Sequence, residues 1–320
     1  MMDEFALIKR YFEQPNFQAA QRNHAIVKGI GDDCAILQIP DATELVFSID
    51  TLVEGVHFLR GASAANIAWR LLGSAVSDLA AMGAEPNSFT LALTLPELSA
   101  DWLQEFSENL SAAAAAYQLS LVGGDTTRGP LTLTVQVQGF VAKGAALLRS
   151  GASVGDVICV SGSLGDSRAG LSLLGSDIAN PEHDYLRTRY YRPSPRIATG
   201  LLIKDSASAC IDVSDGFLAD LQHILTQSKV AAQLDAALIP RSLALQQVAG
   251  ELALEWALNG GEDFELCFTV PLKDWPSLQK RLQNHNVAVT AVGTITAGNG
   301  LQLMRDGQWR DISAAGYKHF

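Results

Sequence analysis

The run Leu131–Val141, LTLTVQVQGFV, alternates apolar and polar residues along its length and constrains the fold more than any other segment. Alternation with a period of two places the apolar side chains on one face of an extended chain, which predicts a β-strand. Three more strand-like runs lie in this half of the chain: Leu45–Ile49, Phe89–Leu95 and Leu119–Val122. Two segments between them, Asn66–Met82 and Ala100–Tyr117, have helical periodicity, so this half is predicted to be an α/β layer.

A glycine-containing connection, Lys143–Gly155, separates this layer from a second mixed region. The elements predicted there are strand Asp156–Ser161, a helix after SGSLGDS, a loop at RTRYYRPSPR, strand Ala209–Val213, helix Phe217–Gln227, strand Leu266–Val270, helix Leu272–Gln283, strand Val287–Ile295 and a hairpin around Arg305–Gly307. A chain of 320 residues exceeds the usual size of one domain. We therefore expect an α/β (α+β) protein of two domains, residues 1–147 and 148–320.

The composition excludes several classes of partner. The formal net charge is -11 and the Lys and Arg residues are scattered, whereas binding of a nucleic-acid backbone depends on clustered cations. The opening MMDEFALIKRYF lacks the basic start and apolar core of a secretory signal, and no run approaches the roughly 18 to 20 apolar residues that span a bilayer. Four cysteines without CxxC spacing predict reduced thiols. We expect a cytoplasmic protein without nucleic-acid or membrane partners.

Aspartates recur beside small or apolar residues, which is an unusual environment for a carboxylate. They are Asp32 and Asp33 in GIGDDCAIL, Asp50 after LVFSI, Asp78 near the end of a helix, Asp125 in GGDTT, and Asp212 and Asp215 in IDVSDG. Taken singly, Asp215 is explained by a helix cap, Asp125 by an Asx-turn, and Asp32 or Asp33 by a loop closure. Their joint occurrence favours a shared role.

Carboxylates that converge require cations. Two carboxylates about 4 Å apart repel by roughly 4 kcal/mol at an effective dielectric constant near 20. Oxygen ligands without paired His or Cys favour Mg²⁺ over zinc, and Mg²⁺ is usually held by a few carboxylates together with substrate phosphates. Several Mg²⁺ ions would also neutralise a phosphate substrate, which this acidic chain does poorly by itself.

The familiar nucleotide-binding motifs are missing from the sequence, which has neither a GxxxxGK[ST] loop nor the protein-kinase motif set. The segment Gly162–Gly170, GSLGDSRAG, is glycine-rich and precedes a predicted helix. Its backbone N–H groups could bind a phosphate, but a tight strand-to-helix turn explains the same residues. The sequence favours the turn.

Eight motifs, in order and over nearly the whole chain, resemble those of the thiamine-monophosphate kinase family: EFALIKRYF, GIGDDCAIL, SIDTLVEGVHF, SDLAAMGAEP, VGGDTTRG, IDVSDGFLADL, GGEDFEL and GYKHF. GDD, SDLAAMGA and GGDT are shared by the wider aminoimidazole ribonucleotide synthetase superfamily. The resemblance implies a two-domain PurM-like fold, with an N-terminal mixed sheet that binds metal and ATP and pairs across a homodimer, and a C-terminal α/β domain. It also implies ATP-dependent phosphorylation of thiamine phosphate to thiamine diphosphate.

The resemblance assigns site residues motif by motif. The implied Mg²⁺ ligands are Asp33, the Ser48 hydroxyl, the Ile49 carbonyl, Asp50, Asp78, Asp125, Asp212 and Asp215. The implied ATP contacts are Gly124, Asp125, Arg149 and Ser214, and the implied thiamine phosphate contacts are His57, Glu262 and Tyr317. Relatives often have Thr at the position of Ile49, so a backbone carbonyl ligand is kept there but a hydroxyl ligand is not.

Several of these residues also have a purely structural explanation. Arg149 can pair with a phosphate through its planar guanidinium, or it can be a solvated surface arginine. His57 fits a packed histidine and Glu262 a turn residue, although acidic groups suit the cationic rings of thiamine. Tyr317 can stack on a cationic ring with a benefit of roughly 0.5 to 2 kcal/mol, or it can anchor the chain end.

The chemistry of the implied acceptor predicts the type of transfer. A phosphate monoester has a second pKa of about 6, so its oxygen is largely deprotonated at neutral pH and no general base is needed. We expect direct in-line transfer of the γ-phosphoryl group without a covalent enzyme intermediate. Two alternatives are another ATP-using enzyme of the superfamily, such as an aminoimidazole ribonucleotide synthetase, and a non-catalytic binder of nucleotide or thiamine phosphate.

Overall fold

The computed structural model of the chain describes residues 4–14, 17, 25–176, 178 and 180–313. The chain divides into two units, here called the first unit, Met1–Leu79 with Ala84–Gly144, and the second unit, Ala80–Gly83 with Ala145–Phe320. Tyr317 and the GYKHF motif lie outside the described residues. Within the described ranges, every helix is too short or too polar to cross a membrane.

Up to Ala142 the described chain contains both α-helices and strands. The helices are α1 (Glu4–Tyr11), α2 (Ala64–Ala81) and α3 (Ala100–Ala116), and the strands are β1 (Ile26–Lys28), β2 (Ile36–Leu37), β3 (Thr43–Val53), β4 (Glu85–Leu95), β5 (Ser120–Arg128) and β6 (Thr132–Ala142). Four strands form a sheet in the order β3-β6-β4-β5, in which β4 and β5 are parallel and the other neighbours antiparallel. β1 and β2 form a separate antiparallel pair.

The strictly alternating run is confirmed as strand β6 in the middle of this mixed sheet. Leu133, Val135 and Val137 are fully buried, while the intervening side chains are only half-buried. One face of the sheet is therefore covered. The opposite face remains partly open on β3, where Phe47 and Ile49 are 64% and 63% exposed.

The second unit contains a larger sheet and most of the helices. Its strands are β7 (Val157–Ser161), β8 (Ala209–Asp212), β9 (Ala231–Asp235), β10 (Leu266–Val270), β11 (Val289–Thr296), β12 (Leu301–Arg305) and β13 (Gln308–Ile312). Its helices are α4 (Asp166–Ser172), α5 (Pro181–Tyr191), α6 (Ile197–Ile203), α7 (Phe217–Ser228), α8 (Leu243–Ala249), α9 (Ala253–Asn259) and α10 (Trp275–Asn284). The seven strands follow the order β13-β12-β9-β11-β7-β10-β8, and within this sheet, as far as the chain is described, only the β12–β9 pair is parallel.

Hydrophobic cores cover both faces of the larger sheet. Along β7, Ile158 and Val160 pack into one core, whereas Val157 and Cys159 pack into the other. Burial on both faces explains why β7, β8 and β10 are largely continuous apolar runs rather than alternating ones. Three cysteines on these strands, Cys159, Cys210 and Cys267, are buried free thiols, and Cys34 is an exposed free thiol, as expected for reduced cysteines.

The sequence predicted a loop at RTRYYRPSPR, but the first five residues of this segment belong to α5. The helix begins with Pro181 after Asn180, whose side chain accepts a hydrogen bond from the His183 N–H at 2.8 Å. One side of α5 is buried at positions that include the charged Arg189, which is 8% exposed. This buried arginine hides the helical pattern, because periodicity is read from apolar residues.

Candidate functional site

Strand β3 and helix α2 bring oxygen-bearing side chains together in the first unit. Because side chains alternate along a strand, Ser48 and Asp50 share the face of β3 that carries buried Leu52. The Ser48 hydroxyl donates a hydrogen bond to Asp78 Oδ2 on α2. Ile49 lies on the opposite, exposed face, so the only candidate ligand it offers is its backbone carbonyl.

Asp50 and Asp78 are electrostatically coupled. The pKa of Asp50 is raised to about 6, first by burial and second by the negative charge of Asp78. Both causes disfavour the ionised form of Asp50. A set of carboxylate and hydroxyl oxygens with excess negative charge suits a hard divalent cation, so Ser48, Asp50 and Asp78 fit magnesium.

A cavity of about 640 Å³ in the same unit collects a second group of the predicted residues, Asp33, Gly124 and Asp125. Ile8 and Lys9 of helix α1 line it, together with Phe12 and Glu13 just after the helix. Leu91, Leu121 and Val122 contribute to its apolar wall. Apolar walls with a few convergent polar groups are typical of sites for small ligands, and this volume is large enough for one.

The motif VGGDTTRG is part of strand β5 and not a turn that follows a strand. β5 continues through Arg128 and pairs in parallel with β4. In this register Gly124 lies opposite Leu91. A Cβ atom on Gly124 would lie 2.1 Å from the Leu91 carbonyl oxygen, so the close approach of the strands requires glycine. The prediction that the strand ends at Val122 was wrong, and so was an Asx-turn at Asp125.

His57 is held by contacts with the backbone. Its Nδ1 accepts a hydrogen bond from the Val53 N–H at 3.0 Å, and its carbonyl oxygen accepts one from Arg70 Nε at 3.2 Å. With Nδ1 as an acceptor, the proton of the neutral imidazole resides on Nε2. The ring can therefore present an N–H donor at Nε2.

In the part of the chain that the structure describes, no three His, Cys, Asp or Glu side chains form a preformed metal site. The predicted ligands of the first unit form two groups instead. Ser48, Asp50 and Asp78 make one, and Asp33 and Asp125 on the cavity wall make the other. The convergence of all these carboxylates on one metal cluster stays a prediction.

In the second unit the predicted residues lie on two neighbouring loops. Asp212 ends strand β8 and is 4% exposed, and Ser214 and Asp215 follow it before α7. Glu262 precedes β10 and has a φ of 67°, in the left-handed region. The Glu262 N–H donates to the Ser214 carbonyl oxygen at 2.8 Å, which joins the two loops directly.

Asp220 on α7, which the sequence analysis missed, binds the first of these loops. Its Oδ2 accepts hydrogen bonds from the N–H groups of Ser214, Asp215 and Gly216 at 2.9, 3.0 and 3.2 Å. The explanation of Asp215 as the helix cap is wrong, because Gly216 is the cap residue and no side-chain cap bond is present at α7. Burial raises the pKa of Asp220 to about 7, although its bonds to the backbone N–H groups oppose the shift.

A second buried carboxylate, Asp263, binds the glycine-rich segment before α4. It accepts hydrogen bonds from the Gly165 and Ser167 N–H groups at 2.5 and 3.0 Å. Burial raises the pKa of Asp263 to about 7, while the positive charge of Arg189 acts in the opposite direction. The segment Gly162–Gly170 is thus a strand-to-helix turn whose N–H groups are engaged by the protein's own carboxylate.

A buried ion-pair network supports the GGEDFEL segment. Glu265 is fully buried and pairs with Arg189 Nη2 at 2.9 Å and with Arg196 Nε at 2.6 Å. The Ser161 hydroxyl donates to Glu265 Oε2 at 2.6 Å, and Arg189 also donates to the Asp263 carbonyl at 3.0 Å. These bonds fix the backbone that carries Glu262.

Arg149 is exposed in the segment that leads into the second unit. The backbone just after it is bound by Ser228, whose Oγ accepts hydrogen bonds from the Gly151 and Ala152 N–H groups, both at 3.1 Å. The exposure of Arg149 fits both a phosphate contact and a solvated arginine.

Comparison with known proteins identifies the family. Residues 31–141 match the family model of the AIR synthase related protein, N-terminal domain, and residues 153–306 match that of the C-terminal domain. The thiamine-monophosphate kinase of Escherichia coli strain K12 is 47% identical over 322 residues, which cover 99% of this chain and 98% of that protein. The two-domain PurM-like fold expected from the motifs is confirmed.

Two solved structures are similar over nearly their whole length. The crystal structure of thiamine-monophosphate kinase from Stenotrophomonas maltophilia K279a has a TM-score of 0.87 and 42% identity, covering 96% of this chain and 98% of that one. The structure of AaThiL complexed with AMPPCP and TMP has a TM-score of 0.80 and 31% identity, covering 100% and 97%. The chain therefore belongs to the thiamine-monophosphate kinase family.

Proposed function

We propose that this chain transfers the γ-phosphoryl group of ATP to thiamine phosphate and releases ADP and thiamine diphosphate. The observation that carries the proposal is the group of Ser48, Asp50 and Asp78 in a chain of this family. Phosphoryl transfer depends on neutralising and positioning negative charge, and an oxygen-only, cation-demanding group suits that task. The complex of AaThiL with AMPPCP, an ATP analogue, and TMP supports both substrates.

We propose Mg²⁺ as the cofactor. Its ligands are proposed to be Asp33, the Ser48 hydroxyl, the Ile49 carbonyl, Asp50, Asp78, Asp125, Asp212 and Asp215. Bound Mg²⁺ would neutralise the phosphates and polarise the transferring group as a Lewis acid. The raised pKa of Asp50 supports this assignment, because a nearby cation would relieve the repulsion between Asp50 and Asp78.

The substrate contacts are proposed from the family motifs and refined by local geometry. ATP would contact Gly124, Asp125, Arg149 and Ser214, and thiamine phosphate would contact His57, Glu262 and Tyr317. The Ser214 N–H is engaged by Asp220, so Ser214 would reach the nucleotide through its hydroxyl. His57 would donate from Nε2 to the substrate phosphate, since its Nδ1 accepts from the backbone.

The reaction needs no general base, and no residue is assigned that role. At neutral pH the acceptor oxygen of thiamine phosphate is largely deprotonated. That oxygen forms a bond to the γ-phosphorus of ATP while the bond to the β–γ bridging oxygen breaks, and ADP leaves with the electron pair. The contribution of the chain is to hold two highly negative substrates in line.

A homodimer is part of the proposal. On edge strand β3, Leu45, Phe47 and Ile49 are 36%, 64% and 63% exposed on one face. A contiguous apolar patch on a sheet face marks an interaction surface. We propose that this face pairs with a second copy, that residues 1–147 form the metal- and ATP-binding and dimerisation domain, and that residues 148–320 form the second domain.

The cytoplasm is the proposed location. The cysteines are free thiols, three of them buried in the second unit and one, Cys34, exposed in the first. Thiols persist in reducing compartments, whereas exposed cysteines of secreted proteins tend to be oxidised. ATP and thiamine phosphate are the proposed small-molecule partners in that compartment.

Incubation of the full chain with ATP, Mg²⁺ and thiamine phosphate, followed by mass spectrometry, tests the proposed function. We expect thiamine diphosphate and ADP in equal amounts. ADP release that depends on formylglycinamidine ribonucleotide instead would identify an aminoimidazole ribonucleotide synthetase-like enzyme. Binding of ATP and thiamine phosphate without ATP consumption would identify a non-catalytic binder.

A further inference from the structure

We infer that Asp220 is a positioning residue: its carboxylate sets the backbone of the loop that carries Ser214 and Asp215 and, through Ser214, the backbone of Glu262. The kinetic part of this inference rests on the proposed function. The structural part rests on hydrogen bonds alone.

Three backbone donors converge on one carboxylate oxygen. One oxygen atom of Asp220, Oδ2, accepts from three successive backbone N–H groups, those of Ser214, Asp215 and Gly216. Successive N–H groups that point at one position form an anion-binding nest. Here the anion is the protein's own side chain, which is 2% exposed. Loss of this acceptor would leave three donors without their partner in a poorly solvated place.

The loop held by Asp220 is in close backbone contact with the loop that carries Glu262. The Ser214 carbonyl oxygen accepts the Glu262 N–H at 2.8 Å, and a Cβ atom on Gly261 would lie 2.6 Å from that same oxygen. On the other side, a Cβ atom on Gly216 would lie 2.8 Å from the Asn259 carbonyl oxygen. Because no side chain separates the two loops here, a displacement of one loop displaces the other.

The direction of the N–H groups decides what the loop can offer a ligand. They point at Asp220, so a phosphate does not meet them, and the loop can act on a ligand only through other groups, such as the Ser214 hydroxyl and the Asp215 carboxylate. Asp220 thus acts through the residues it positions. In its ionised form Asp220 makes the three hydrogen bonds stronger than a neutral acceptor would.

Hydrogen exchange tests the structural part in the full chain without ligands. The variant is Asp220→Asn, which keeps the shape and removes the charge, with Asp220→Ala as a second variant. The matched control is Ile224→Val, a change at a fully buried position on the same helix. We expect the amides of Ser214, Asp215 and Gly216 to exchange at least about tenfold faster in both Asp220 variants and at the wild-type rate in Ile224→Val.

Wild-type exchange in Asp220→Asn and Asp220→Ala, or equal acceleration in Ile224→Val, would overturn the inference. Steady-state kinetics test its consequence for the site. We expect Asp220→Asn to raise the KM for ATP and the half-saturating Mg²⁺ concentration about tenfold, with turnover partly rescued by high Mg²⁺, and Ile224→Val to leave both unchanged. Unchanged values in Asp220→Asn would overturn the kinetic part. If the wild-type chain forms no thiamine diphosphate, the proposed function fails, whereas the exchange result still decides the role of Asp220.

Discussion

The Ser48 hydroxyl donates a hydrogen bond to Asp78 and so links edge strand β3 to helix α2. The carboxylate of Asp50, two residues along the same face of β3, is close enough to Asp78 for the charge of one to raise the pKa of the other. Two carboxylates in this small volume favour protonation in the absence of a cation and metal binding in its presence. The stability of the metal-free chain should report this repulsion.

In the metal-free chain, the contribution of Asp50 to the free energy of unfolding should therefore fall as the pH rises. The folded pKa of Asp50 is about 6 against an ordinary 3.8, so the fold favours the protonated form. This contribution is fully present below the ordinary pKa and is lost as the pH rises through about 6. In EDTA, we expect Asp50→Asn to be more stable than wild type by about 1 to 3 kcal/mol near neutral pH and equally stable in acid. Urea unfolding at both pH values measures this, and equal stability at neutral pH would contradict it.

Gly124 should tolerate no side chain. In Gly124→Ala, the new Cβ would meet the Leu91 carbonyl oxygen at 2.1 Å and force β4 and β5 apart. We expect a loss of about 2 to 4 kcal/mol in the free energy of unfolding. Gly123→Ala is the matched control, because its Cβ would meet only a Thr90 methyl at 3.8 Å, and we expect it to be nearly neutral. Thermal unfolding compares the two, and equal stability of both variants would refute the strand pairing.

Phe47 should be required for self-association. Its side chain is 64% exposed on the sheet face proposed to pair with a second copy, and a charge there would be buried without a partner. We expect Phe47→Glu to sediment as a monomer at concentrations where wild type is a dimer. Leu243→Glu is the control, since Leu243 is 77% exposed on the second unit. A wild-type chain that is monomeric, or a Phe47→Glu variant that is dimeric, would contradict the assignment.

Arg189 should be much more costly to remove from the second unit than an exposed arginine. It is nearly buried and donates to Glu265 at 2.9 Å, so Arg189→Gln leaves a buried carboxylate with one partner fewer. We expect a loss of about 3 to 5 kcal/mol. Arg305→Gln breaks only an exposed pair with Asp306 and should cost less than about 1 kcal/mol. Denaturant unfolding measures both, and similar small losses would show that the network contributes little.

Much of the fold could be predicted because its main elements follow simple periodicities. Strand β6 alternates with one face buried, and helix α2 has apolar residues on one side, so both were located to within about two residues. Strand β10, Leu266–Val270, was predicted with the bounds that the structure shows. All its residues except Thr269 are apolar, and Glu265 before it and Pro271 after it leave little choice of boundary.

The features that the sequence did not predict depend on tertiary contacts. Gly124 and Asp125 continue strand β5 because β4 pairs with them, although glycine and aspartate favour turns in isolation. Asp220 lies on the buried side of α7 between Phe217 and Leu221, so its burial could be predicted from the helical pattern. Its three backbone donors could not be predicted, because they come from the preceding loop. The sequence predicted a loop at Arg189 because helical periodicity is recognised from apolar residues, and a buried charged residue does not contribute to it.

The turnover of Asp78→Asn at limiting Mg²⁺ is the sharpest test of magnesium-dependent phosphoryl transfer by this chain. The substitution keeps the shape of the side chain and removes one of the two coupled carboxylates beside Ser48. We predict that wild type forms thiamine diphosphate in a magnesium-dependent manner and that the folded variant is at least about 100-fold slower, a loss of roughly 3 kcal/mol in transition-state stabilisation. Near-wild-type turnover of the variant at limiting Mg²⁺ would contradict the account.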